Sequence, residues 1–129
     1  MVPPTALGLT ICEKVIIEEG TRNATLVSTF TKLTVSEFPS PPQRFAVYAV
    51  LTDGAGDATI DLVVARLDTA EDVYKRRQRV RFLNKLMEVV VLFRVRDCSF
   101  PAPGRYQATL LVNGEWVAQR RFHIAAKED

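Results

Sequence analysis

Period-two alternation of apolar and polar residues recurs along the chain, and no stretch sustains a helical repeat. Alternation at that period places every second side chain on one face of an extended strand, which commits the chain to β-sheet. Val, Thr, Ile and Phe supply much of it, and such side chains pack well on a pleated surface. Ala6 to Glu19 opens the series, with Leu7, Leu9, Ile11, Val15 and Ile17 on one face, although its length predicts a bend or two segments. Gly20-Thr21-Arg22-Asn23 turns the chain into a Thr- and Val-rich strand over Ala24 to Glu37. The run Pro39-Ser40-Pro41-Pro42 removes three amide donors and predicts a loop between strands. Phe45 to Thr52 is apolar on both faces, as a central strand with cover on each side requires.

The second half continues the pattern. Asp53-Gly54-Ala55-Gly56 reads as a turn, and Ala58 to Leu67 follows with Ile60, Leu62 and Val64 inward and Thr59 and Asp61 outward. Asp68 to Glu71 reads as a further turn rather than a short helix, because Val73 to Phe82 resumes alternation. Met87 to Val95 directs Val89, Val91, Phe93 and Val95 inward, and the stretch from Phe100 to Ile124 holds the last two strands. Eight short strands with turn chemistry between them predict a single all-β sandwich over residues 1–129, not a parallel α/β sheet.

Length supports that reading, since 129 residues bury roughly two-thirds of the unfolded surface without a metal or disulfide. The longest apolar run, Val89 to Phe93, is too short to cross a bilayer, so no membrane partner is expected. MVPPTALGLTICEK has no basic leader and meets glutamate early, which predicts no signal peptide and a cytoplasmic setting. Cys12 and Cys98 lack metal-ligand spacing; both are expected as packed thiols, with a bridge as the alternative.

The corner Pro101-Ala102-Pro103-Gly104-Arg105-Tyr106 makes the architecture more specific. Its Gly-x-Tyr at the start of the penultimate strand resembles the tyrosine corner of immunoglobulin-like sandwiches, in which the phenol ties the strand to backbone upstream. The resemblance implies an immunoglobulin-like antiparallel β-sandwich of seven to nine strands. Ala108 stands where an antibody domain places its second cysteine, so the disulfide core is not expected. A second resemblance rests on the opening Ile11-Cys12-Glu13-Lys14-Val15-Ile16-Ile17-Glu18 and on Ala24-Thr25-Leu26-Val27-Ser28-Thr29-Phe30. It continues through the proline loop, Leu51-Thr52-Asp53-Gly54, the same corner and Asn113-Gly114. In that order the chain is similar to a family of small uncharacterised bacterial β-sandwich domains, which implies a fold and no activity, cofactor or catalytic residue.

Three features are candidates for chemistry. Residues 75–96 hold eight cations against Glu88 alone, a segment charge of +7 that leaves −5 for the rest of a chain of net +2. Within it, alternation places Lys75, Arg77, Arg79 and Arg81 on one face and Arg76, Gln78, Val80 and Phe82 on the other. That ladder suits an acidic protein partner, or simply keeps a strand edge from aggregating. Nucleic acid is the weaker expectation, because no aromatic side chain is interleaved on the basic face. Asp53, Asp57 and Asp61 offer oxygen ligands that calcium uses, but Asp and Gly are equally what a hairpin turn requires. Trp116 is a candidate stacking platform for carbohydrate, or a core anchor.

Catalysis lacks an inventory: His123 is the only histidine, expected toward solvent, and no Ser or Cys sits in a nucleophile context. The expected function is therefore a non-catalytic intracellular binding or scaffolding module without cofactor or metal, its contact surface the basic strand. The alternative is a small-ligand or carbohydrate binder using the end loops near Asp53, Asp57 and Trp116.

The expected core is Leu9, Ile11, Phe45, Val47, Ile60, Leu62, Val91, Phe93, Tyr106, Leu110, Trp116, Phe122 and Ile124. The closing hairpin raises a register question. A two-residue type I′ turn at Asn113-Gly114 pairs Leu110 with Val117 and turns Phe122 and Ile124 away from Tyr106. A three-residue loop, Val112 to Gly114, pairs Leu110 with Trp116 and keeps both apolar sets together, so that loop is the prediction.

Overall fold

A computed structural model of the chain describes residues 3–128. Its described residues form nine strands and no helix. They are β1 (Thr5–Ile17), β2 (Ala24–Thr29), β3 (Lys32–Val35), β4 (Gln43–Thr52), β5 (Gly56–Arg66), β6 (Asp72–Phe82), β7 (Val89–Cys98), β8 (Gly104–Val112) and β9 (Glu115–Ala126). Two sheets face each other, one ordered β2-β1-β4-β7 and the other β3-β9-β8-β5-β6. Every pairing is antiparallel except β3 with β9. The chain is thus an immunoglobulin-like β-sandwich, within the expected strand count.

The long opening strand does divide, and its division costs the single face expected for it. β1 pairs with β4 as far as Cys12 and with β2 from Cys12 onward. A register shift between Ala6 and Gly8 leaves Leu7 55% exposed, and Glu13 and Lys14 are both exposed. Only Leu9 and Ile11 of the five expected residues therefore enter the main core. Val15 lands instead with Cys12 and Ala46 in a small second cluster on the outer side of the four-stranded sheet, where Arg94 Nη2 donates to its carbonyl at 3.3 Å.

Ala24 to Glu37 is two strands, not one. Phe30 donates its amide to Ile11 in one sheet, and Thr31 accepts from His123 in the other. The chain changes sheets between these neighbours, so β2 and β3 share no ladder.

Between the sheets the core forms as expected, with one exception. Twelve of the thirteen named residues are buried, and Trp116 is 65% exposed. Around Tyr106 the Phe45, Phe100 and Phe122 rings interlock, with the Phe100 and Tyr106 centroids 4.9 Å apart at 77°. The Tyr106 hydroxyl donates to the Ala102 carbonyl at 2.6 Å, which is the tyrosine corner. Ala108 is fully buried at the position of the missing cysteine. The proline loop is fastened to the same corner: Ser40 donates its amide to the Phe100 carbonyl at 2.9 Å and accepts from the Phe100 amide through Oγ at 2.8 Å.

The closing hairpin overturns the three-residue loop. Asn113 and Gly114 have φ of 50° and 86°, and Val112 pairs with Glu115 across them, so the turn is a two-residue type I′. The face conflict is resolved later, by an extra residue. Leu111 pairs with Trp116 but Leu110 pairs with Ala118, so Val117 bulges. Beyond the bulge Phe122 faces Tyr106 in the core; before it, Trp116 stays on the outer face beside Leu111.

Candidate binding face

The site is built on the outer face of the five-stranded sheet. Pairing registers carry one outward row from strand to strand: Arg77, Asp61, Leu111 and Trp116 lie across β6, β5, β8 and β9. The next rows place Lys75 beside Val63, Thr109 and Gln119, and Arg79 beside Thr59. Gln107 stands beside Arg121, and Arg105 and Lys32 flank His123. The alternation in β6 thus resolves as expected, with Lys75, Arg77, Arg79 and Arg81 all exposed on that face. On this face the described residues supply seven Lys and Arg side chains, at 32, 75, 77, 79, 81, 105 and 121, against the carboxylates of Asp57, Asp61 and Asp72, the last beside Ala65 at the start of β6.

Asp61 and Asp57 each face an arginine. Asp61 is only 9% exposed, and it accepts from Arg77 Nε at 2.8 Å and Nη2 at 3.3 Å. The hydrogen bond from Arg77 holds the Asp61 carboxyl below its ordinary value, against the opposing effect of burial. Sequence alternation placed Asp61 outward correctly, but gave no sign that its neighbours would cover it. Asp57 opposes Arg81 more loosely, at 3.8 Å, with both side chains exposed. No ion pair is formed by Lys75, Arg79, Lys32, Arg105 or Arg121 among the described residues.

β6 also seals the sandwich from the side. Its other face sends Gln78 Nε2 to the Leu92 carbonyl at 2.7 Å and Arg76 Nη1 to the Arg94 carbonyl at 3.5 Å. These side chains occupy acceptors on the free edge of β7, so Arg76 belongs to the closure of the fold and not to the basic face.

The end-loop residues do not come together. Asp53 lines a cleft of about 770 Å³ with Pro3, Pro4, Phe82, Lys85 and Glu115. Asp57 lies outside it beside Arg79 and Arg81, and Trp116 stands on the sheet face. The carboxylates that suggested calcium are therefore separated, and no metal-holding cluster of His, Cys, Asp or Glu occurs among the described residues. Gly54 has a packing reason: a methyl there would lie 2.5 Å from the Phe82 ring. The turn Asn113 is clamped to β5, accepting from the Thr59 amide at 3.0 Å and donating to its carbonyl at 2.9 Å.

Cys12 and Cys98 are both buried free thiols. They lie in different clusters on opposite faces of the four-stranded sheet, which excludes the alternative of a bridge in this fold. Burial pushes the Cys98 thiol up to about 12, which leaves it protonated and unreactive at neutral pH. His123 is exposed, flanked by Lys32 and Arg105, with neither cysteine beside it.

Sequence reasoning missed Lys32, Arg105 and Arg121, which lie far apart in the chain and meet only through β3, β9 and β8. The outward parity of Arg105 and Arg121 was legible in the alternation of their strands, but not that the strands would adjoin.

This fold recurs as part of larger solved proteins of other kinds. A β-glucosidase from Listeria innocua superposes with a TM-score of 0.53 at 14% identity, covering 95% of this chain and 16% of that one. An alkylpurine DNA glycosylase from Pseudomonas fluorescens, bound to DNA containing an abasic site analog, gives 0.50 at 15%, covering 74% and 28%. An immunoglobulin-like protein from Pseudomonas aeruginosa matches at 0.44 and 12%, with 95% and 97% covered. The chain thus spans about a quarter or less of the first two proteins, and these likenesses describe the fold alone. Among the described residues no helix is long and apolar enough to cross a membrane. No protein of curated function matches the sequence. Residues 7–125 match a family model, and the chain belongs to that family, DUF6941, whose function is unknown.

Proposed function

We propose that this chain is a non-catalytic, intracellular binding module whose outer five-stranded face receives an acidic protein partner. The observation that carries the reading is the imbalance on that face: seven cations against three carboxylates, two of which already face an arginine. Charge gathered on one side of a rigid sheet steers an oppositely charged surface and raises its association rate. Exposed Gln119 and half-buried Gln107 supply hydrogen-bonding groups, and exposed Trp116 supplies the aromatic anchor that binding surfaces favour. Two unbridged cysteines support an intracellular setting.

The test reverses Lys75 and Arg79 together to Glu, the two β6 ladder cations without an ion-pair partner among the described residues. Affinity capture with this variant loses the wild-type partner while the melting temperature stays within about 2 °C. Retention of every partner removes this face from consideration. Duplex and single-stranded DNA titrated at low and moderate salt provide the control; a steep, salt-sensitive isotherm would reassign the face to nucleic acid.

The cleft beside Asp53 supports a second reading, a small-ligand site, because it joins an apolar floor of Phe82 and Val112 to Lys85, Asp53 and Glu115. A glycan and metabolite screen read from amide shifts at Gly54 and Asn113 tests it, and an unresponsive spectrum dismisses it. Trp116 plays no part in that site, since it is not among the lining residues.

A further inference from the structure

The cationic face has two halves that handle charge differently. On β6, Arg77 and Arg81 oppose Asp61 and Asp57, so the fold supplies its own counter-charges. At the other side, Lys32, His123 and Arg105 occupy paired positions on β3, β9 and β8, with Arg121 two residues before His123 on the same face. Adjacent strands lie about 4.8 Å apart, so the bases of the first three side chains fall within about 10 Å, and Arg121 stands about 7 Å along β9. Like charges placed side by side across strands destabilise a sheet. Among the described residues no carboxylate forms an ion pair with any of them. Asp68 follows Leu67, whose amide bonds the Arg105 carbonyl, but it is already held by Arg66 through bonds of 3.1 and 2.9 Å.

One of these cations is also positioned in advance. Arg121 donates Nε to Gln107 Oε1 at 3.4 Å, and Gln107 in turn donates Nε2 to Thr109 Oγ1 at 3.3 Å. Thr109 is buried, so the chain of bonds begins on a rigid part of the sheet. Fixing the guanidinium through Nε leaves its terminal nitrogens for a ligand.

We infer that Lys32, Arg105, Arg121 and His123 form an oxyanion subsite that receives a phosphate monoester, carried on a serine or threonine of the acidic protein partner. Several donors grouped without a counter-charge call for more than one negative charge and more than two acceptor oxygens. A phosphate monoester supplies nearly two charges and three oxygens, whereas a side-chain carboxylate supplies one charge and two. The inference rests on the reading of this face as a protein-binding surface, and it moves the anchor of that surface away from the basic strand.

The experiment uses the full chain and two synthetic peptides, Glu-Glu-Ser-Glu-Glu and the same peptide phosphorylated on serine, with inorganic phosphate as a third probe. The phosphopeptide binds at least about 10-fold more tightly than its parent. Its amide shifts, and those from inorganic phosphate, centre on Lys32, Arg105, Arg121 and His123. Lys32→Glu with Arg105→Glu abolishes the phosphate-dependent gain, and the milder Lys32→Gln with Arg105→Gln pair gives the same loss if the reversal disturbs folding. Lys75→Glu with Arg79→Glu weakens both peptides and keeps the ratio between them.

Equal affinity for the two peptides, or shifts centred on Lys75 to Arg81, overturns the subsite and leaves the acidic-partner reading standing. Tighter binding of a 5′-phosphorylated oligonucleotide or of phosphoinositide vesicles overturns the protein-borne source. Loss of the acidic-partner reading is seen separately, as a captured partner that survives reversal of Lys75 and Arg79.

Discussion

The two halves of the cationic face rest on different supports. Beside β6, a charged pair is built into the sheet: Asp61 is covered by its neighbours and takes two bonds from Arg77. Beside β3, β9 and β8, the cations stand without an ion-pair partner among the described residues, above the aromatic part of the core, where Phe100, Tyr106 and Phe122 interlock with Phe45. Stability in the first half therefore has an electrostatic component that pH can remove. In the second it comes from apolar burial and one phenol bond, which leaves surface charge free for another use. The contrast teaches that an uncompensated cluster survives where the packing beneath it does not depend on those charges.

The largest effect that bears on this contrast comes from emptying the second support. Phe122→Ala removes a ring that touches three other aromatic rings, and urea denaturation should show a loss of about 3–5 kcal/mol. The loss should be nearly the same at pH 3 and pH 7, and a strong pH dependence would break the distinction between the halves. Tyr106→Phe keeps the ring but deletes the bond to the Ala102 carbonyl, with an expected cost of about 1 kcal/mol in the same assay.

Asp61→Asn probes the first support, and its cost at pH 7 should be about 1 kcal/mol. The carboxyl is held below its ordinary value in the folded chain, first by the hydrogen bond from Arg77. A depressed folded value means the unfolded chain takes up the proton first as pH falls. The carboxylate's contribution is complete above the ordinary carboxylate range and fades as pH drops through the lower folded value. Wild-type and Asp61→Asn melting curves should therefore converge in acid, and a gap that persists at pH 2 would contradict the ion-pair account. Smallest of all, Lys32→Glu should raise stability by a few tenths of a kcal/mol in phosphate-free buffer, by bringing an opposite charge near Arg105, which flanks the same histidine. Calorimetry showing a clear drop would mean that the row is already compensated.

The two hairpin features show how far the sequence could be followed. The tyrosine corner was legible because Gly104, Tyr106 and the upstream prolines are local to one another, and the bond from Tyr106 spans only four residues. Asn113-Gly114 is legible as a turn in the sequence, but the length of its loop is not. Alternation demanded that Tyr106 and Phe122 share a face, and a longer loop looked like the simplest way to achieve it. The bulge at Val117 satisfies the same demand with a two-residue turn, and leaves Trp116 outside. Parity counts residues; it does not say where the extra one is placed.

By itself the sequence determined the all-β class, the inward sets of β4, β5, β7 and β8, and the outward ladder of β6. Each follows from period-two geometry within a single strand. Tertiary structure alone decided which strands adjoin. It split Ala24 to Glu37 between two sheets, buried Asp61 under its neighbours, drew Arg76 and Gln78 to the edge of β7, and set Lys32, Arg105, Arg121 and His123 together. The physical reason is that strand adjacency depends on long-range pairing and on how the sheets close against each other, and neither has a signature in the order of residues along one strand.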